Sequence, residues 1–188
     1  MSYAQRRRFL WILFLIGIVL IAITANATTL APLTFTQLAQ QSTAIARLRC
    51  LGTKSFWQNG EIWTDTQFAV EQQEKGELPA LVVVRTLGGT VGNLHSHVDE
   101  APAFRIGEEA YLFLWNRQGE PYRVLGWSQG TFRVTRNAPS GQETVTQDSS
   151  AGALFDPQTR TFRRTGIRGL SVALFRERLH QALGEETR

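Results

Sequence analysis

AIARLRCLGTKSFWQNGEIWTDTQFAVE, residues 44–71, reads as two β-strands folded back on one another. Ala44 to Trp57 and Glu61 to Glu71 are rich in β-branched and aromatic residues, which suit a pleated surface. Between them lies Asn59-Gly60. A two-residue type I′ turn needs positive φ at both central positions, and Asn and Gly tolerate it. The register follows from that turn. Gln58 faces Glu61, Phe56 faces Trp63, Lys54 faces Asp65, Thr53 faces Thr66 and Leu51 faces Phe68. Aromatic, opposite-charge and hydroxyl partners meet, as cross-strand pairing favours. The apolar parity slips near Gly52, because Leu48 and Leu51 cannot share a face. A β-bulge at Cys50 to Gly52 reconciles the two and bends the hairpin, as a closing barrel requires.

Downstream, Ala80 to Thr86 and Ala110 to Trp115 are continuous apolar runs that predict central strands covered on both faces. Tyr122 to Trp127 and Thr131 to Thr135 predict a second hairpin around Ser128-Gln129-Gly130, and Thr144 to Gln147 an edge strand. Asn137 to Gly141 and Gln147 to Gly152 are turn-rich. Helical signals stand at both ends of this β region. Phe35 to Gln41 predicts one or two turns capped by Thr34 or Thr36. Ser171 caps a C-terminal helix over about 171–183, with Leu170 stapled to Phe175 and Gly184 as the stop. Val172, Leu174, Phe175, Leu179 and Leu183 form its apolar stripe. The predicted fold is mainly β: a small OB-like barrel with a C-terminal α-helix.

Several stretches carry a family resemblance. They are Ser42 to Leu48, Trp63 to Glu71, Lys75-Gly76, Leu87-Gly88-Gly89 and Phe104 to Leu114. Together they resemble a widespread group of uncharacterised exported bacterial proteins. More distantly, the order of elements is similar to netrin-like domains and tissue inhibitors of metalloproteinases. The resemblance covers roughly residues 34 to 135. It implies an OB-type barrel with a C-terminal helix, in which a segment like Phe104 to Leu114 enters a core strand. Those inhibitors chelate zinc with an amino-terminal Cys and are stapled by disulfides. Here Cys50 is the only cysteine and is internal, so the resemblance implies a fold without that inhibitory mechanism.

The amino terminus predicts where the protein works. Arg6, Arg7 and Arg8 precede an uninterrupted apolar run from Phe9 to Ile23, and Ala25-Asn26-Ala27 is a small-x-small cleavage pattern. Residues 1–27 therefore read as a secretory signal peptide, and the mature chain starts near Thr28. The apolar run is shorter than the roughly 20 residues of a spanning helix, so no stable membrane span is expected after cleavage. The expected location is outside the cytoplasm, periplasmic or secreted. The signal also carries much of the charge. The whole chain has 20 basic and 16 acidic residues, net +4; without the three signal arginines the balance is 17 to 16. A near-neutral mature chain gives no support for nucleic-acid binding. Residues 28–188 suit one domain with its own core. Cys50, in an apolar stretch, reads as a buried small hydrophobe.

No G-x-S-x-G, S-x-x-K, H-E-x-x-H or P-loop motif occurs. No cofactor is expected, and the chain reads as a non-enzymatic module that engages a protein partner. Two regions are candidate contact surfaces. Trp57 and Trp63 flank the Asn59-Gly60 tip, where burial in a core is hardest. Leu87 to Phe104 is the longest loop between two core strands, with Gly88-Gly89, His95, His97, Asp99 and Glu100. On an extended chain His95 and His97 point the same way and could share a Zn or Cu ion, with Asp99 or Glu100 supplying an oxygen, which gives the alternative of a metal-binding protein or metal-dependent enzyme. The plain alternative is a solvated polar loop tip. Carbohydrate binding through the tryptophans is a further alternative. Trp115 and Trp127 read as core. Arg160, Arg163, Arg164, Arg168, Arg176 and Arg178 read as a solvated basic face balanced by nearby acids.

Overall fold

A computed structural model describes residues 32–151, 154–156, 161–163 and 166–184. The predicted signal peptide, and Arg160 and Arg164 of the basic face, lie outside the described residues.

The first hairpin forms as its sequence dictates. β1 (Ala44–Gln58) and β2 (Glu61–Lys75) pair antiparallel about Asn59 and Gly60, whose φ values are 54° and 82°. Gln58 faces Glu61, Phe56 faces Trp63, Lys54 faces Asp65 and Thr53 faces Thr66. The register then shifts between Cys50 and Gly52, so Cys50 rather than Leu51 opposes Phe68. Two further shifts follow, between Ile45 and Ala46 and between Arg47 and Leu48. Each extra residue bends its strand and adds twist.

Around this hairpin stand β3 (Leu81–Leu87), β6 (Glu109–Trp115), β8 (Thr131–Arg136), β9 (Glu143–Gln147) and β12 (Leu170–Ser171). The sheet order is β12-β9-β8-β6-β1-β2-β3, with β7 (Arg123–Val124) pairing β6. Small two-stranded sheets are formed by β4 (Gly89–Val91) with β5 (Leu94–Ser96), and by β10 (Leu154–Asp156) with β11 (Thr161–Arg163). The protein is therefore mainly β, but among the described residues the ladder is an open sheet, and continuous pairing does not close it into the expected barrel. One parallel bridge, Val84 with Tyr122, links β3 to the residue before β7, where Arg85 N–H donates to Tyr122 O at 2.8 Å.

Three strand expectations are corrected. β9 is not an edge, because β12 pairs with it on the side away from β8, Leu170 with Val145 and Ser171 with Thr144. β6 is buried on both faces, but β3 is an edge strand whose burial alternates: Val82 and Val84 are buried, while Leu81 is 51% and Val83 39% exposed. An edge strand facing solvent on one side can carry the same apolar run as a central one. The second hairpin does not form either. β7 and β8 both pair with β6, at Leu114–Trp115 and at Glu109–Leu112. Gly126 (φ 64°) and Trp127 (φ 55°) both lie in the left-handed region. They start a 3₁₀ turn, Trp127–Gly130, that carries the chain onward instead of reversing it.

Apolar residues pack on both sides of β1 and β6. One layer joins Leu48, Phe68, Val84, Phe104 and Leu112, with Phe68 and Phe104 edge to face at 5.0 Å. The other joins Ile45, Phe113, Phe132 and Phe175 beneath α1 (Phe35–Gln41) and α2 (Val172–Leu183). Each such buried aromatic or aliphatic side chain stabilises the fold by about 1.5–3 kcal/mol. Thr34 caps α1 in a capping box with Gln37, and Ser171 caps α2. Val172, Phe175, Leu179 and Leu183 pack inward as the stripe predicts, but Leu174 is 53% exposed, because it sits about 100° around the helix from Phe175. Arg176 Nε and His180 Nε2 bind the Glu74 carboxylate of β2 at 2.8 and 2.9 Å. That ties α2 to the sheet and removes Arg176 from the expected solvated face. Among the described residues no helix is long and apolar enough to cross a membrane.

Candidate functional site: a hydroxyl-lined groove beside the hairpin tip

The β1–β2–β3 register places hydroxyls in rows across the sheet. Ser55 pairs with Thr64, which pairs with Thr86; Thr53 pairs with Thr66. Alternation sends these side chains to one face and Lys54, Asp65 and Arg85 to the other. The hydroxyl face is one wall of a groove of about 420 Å³. The residue 87–104 segment supplies the opposite wall, with Val98, Ala101, Pro102 and Phe104 as its apolar part. The expected long loop is thus partly structured, as the β4–β5 hairpin and a return strap.

A chain of hydrogen bonds seals the segment to the sheet. Thr90 N–H donates to Ser55 Oγ at 3.3 Å, and Thr64 Oγ1 donates to Gly88 O at 2.6 Å. Thr64 has spent its proton, so the 2.8 Å contact between the two hydroxyls is donated by Ser55. Gly88 N–H donates to Ile62 O at 2.7 Å. The far end is held at Glu100 (φ 65°), whose carbonyl accepts from Ser128 N–H at 3.0 Å and whose carboxylate accepts from the Ser128 hydroxyl. Arg133 Nη2 donates to Ala103 O at 2.8 Å. Against these satisfied groups one stands out. Thr66 lines the groove, is 1% exposed, and among the described residues its Oγ1 has no hydrogen-bond partner.

The lining is uncharged. It contains no Asp, Glu, Lys or Arg among the described residues, and its titratable groups are the histidines His95 and His97. His95 Nδ1 meets Thr90 Oγ1 at 2.9 Å. His97 Nε2 stands 3.4 Å from Asp99 Oδ1, both side chains largely in solvent. The Glu100 carboxylate is engaged by Ser128. Among the described residues no three His, Cys, Asp or Glu side chains come together where they could hold a metal ion.

The other residues singled out in the sequence fall in different places. Trp57 is 50% exposed, on the same face as Ser55 and two residues nearer the tip. Trp63 faces Phe56 on the opposite side of the hairpin. There it is half-buried beneath the Arg123 guanidinium at 5.2 Å, which also lies 5.9 Å from Trp115. The two tryptophans therefore do not form one surface. Asn59 and Gly60 are exposed turn residues. Gly88 and Gly89 are where the segment touches the sheet. Trp115 and Trp127 are half-buried, not core. Cys50 is 1% exposed, and burial pushes its thiol up. Thr53, Ser55, Thr64 and Thr66 alternate visibly on either side of the turn, but nothing local in the sequence marks these hydroxyl rows as a site.

No family model matches the chain, and no curated protein or solved structure matches it.

Proposed function

We propose that the chain is an exported, non-enzymatic binding module that engages a protein partner in the cell envelope or outside it. One observation carries this reading: Trp57 stands half-exposed at the tip of the hairpin whose same face forms the wall of the uncharged groove. An aromatic anchor beside a concave surface is a usual element of an interface hot spot. The export part rests on the residue 1–27 pattern. As a fold we read a netrin-like, OB-type barrel in which the Val84–Tyr122 bridge is the last seam.

The test is affinity capture from a cell-envelope extract with the mature chain and its Trp57→Ala variant. A specific protein retained by the wild type, with affinity about 30-fold lower for the variant, is the expected result. Equal retention by both would remove the tip from the interface.

A further inference from the structure

We infer that the groove takes an uncharged, extended peptide segment of the partner, gripped through its backbone by the threonine and serine rows. This rests on the binding-module reading and names the chemistry of its ligand.

Three features lead there. First, the two walls differ in kind. Hydroxyls of Thr53, Ser55, Thr66 and Thr86 line one side, and Val98, Ala101 and Pro102 the other. An extended peptide presents alternate side chains to opposite sides, so small polar groups can face the first wall and small apolar groups the second. Second, a hydroxyl can both donate and accept, which matches a backbone carrying one N–H and one C=O per residue; Ser55 and Thr64 have already given their protons, so donation to the peptide falls to Thr53, Thr66 and Thr86. Thr66 supplies a built, unspent group: it is almost fully buried, lines the groove, and has no partner for Oγ1 among the described residues. Burying an unpaired hydroxyl is unfavourable, so a ligand that satisfies it gains on contact. Third, the lining holds no carboxylate, amide, ammonium or guanidinium among the described residues. A charged ligand would be desolvated there without a counter-charge.

A saccharide fits less well. Vicinal hydroxyls are best gripped by planar carboxylates, amides or guanidinium forks, and none lines the groove. Apart from the two histidines, the lining aromatic is Phe104, which is 8% exposed and packed on Phe68. It offers no open ring face for stacking.

The test is an NMR titration of isotope-labelled mature protein with four probes. These are a blocked peptide alternating serine and valine, the same peptide with lysine for serine, the same with glutamate for serine, and maltotriose. The neutral peptide is expected to shift the amides of Thr53, Thr64, Thr66 and Thr86, and to bind at least about tenfold tighter than either charged peptide. Thr66→Val is expected to weaken that binding about tenfold while raising Tm, because it removes an unpaired buried hydroxyl. A merely structural threonine would not give this opposed pair of changes. Equal binding of charged peptides, maltotriose binding in place of the peptide, or no response to any probe would each overturn the inference. If partner capture still depends on Trp57 in those cases, the groove assignment fails alone and the tip reading stands.

Discussion

Gly89 sits against Thr64 so closely that a methyl on its Cα would lie 2.2 Å from Thr64 Oγ1 and 2.4 Å from Ser55 Oγ. Its φ of 132° also lies where side chains are strained. The wall of the groove is therefore held by a contact that only glycine permits. Gly89→Ala is expected to destabilise the protein by about 1–3 kcal/mol in urea denaturation. Amide hydrogen exchange should quicken across β4 and β5 while the β1–β6 pairing keeps its protection.

The tie between α2 and β2 predicts an asymmetry. The Glu74 side chain is 1% exposed, whereas Arg176 and His180 are 38% and 25% exposed. Removing Arg176 leaves a buried carboxylate with one partner fewer. Removing the Glu74 charge leaves two partners that water can reach. Arg176→Met should therefore cost about 3 kcal/mol and Glu74→Gln less, about 1–2 kcal/mol, by thermal denaturation.

Glu143 makes stability sensitive to acid. Arg47 grips both its carboxylate oxygens at 2.8 and 2.9 Å, and Arg136 adds a bond at 2.7 Å. These bonds, Arg47's first, hold the carboxyl down to about 2 from an ordinary 4.5. A depressed carboxylate contributes stability that is full above pH 4.5 and is lost as pH falls through about 2. With solvent screening the loss should be about 1 kcal/mol. Glu143→Gln should flatten that part of the stability–pH curve.

Cys50 packs opposite Phe68 with burial pushing its thiol up, so it should be inert while folded. A thiol-specific reagent should label the protein only after guanidinium unfolding, and at one site.

These features differ in how far the sequence announces them. The Asn59-Gly60 turn sets the register locally, and the conflict between Leu48 and Leu51 is enough to locate the bulge beside Cys50. β3 is less legible, because Leu81 and Val83 are apolar residues left exposed on an edge, and composition does not show which strand lies outermost. The β7–β8 corner turns on Trp127 adopting a positive φ, which no propensity suggests for a tryptophan. The groove needs tertiary structure. The alternating hydroxyls are visible, but the 87–104 segment closes over them through contacts to Ser128 and Arg133 that no local pattern encodes.

The face bearing Trp57 is the face we propose for partner binding. A photo-crosslinking amino acid placed at position 57, at position 90 beside the groove, or at position 181 on the exposed side of α2 tests it directly in living cells. Irradiation is expected to give one discrete protein adduct of the same size from positions 57 and 90 and none from 181. Adducts from 181 alone would contradict the account.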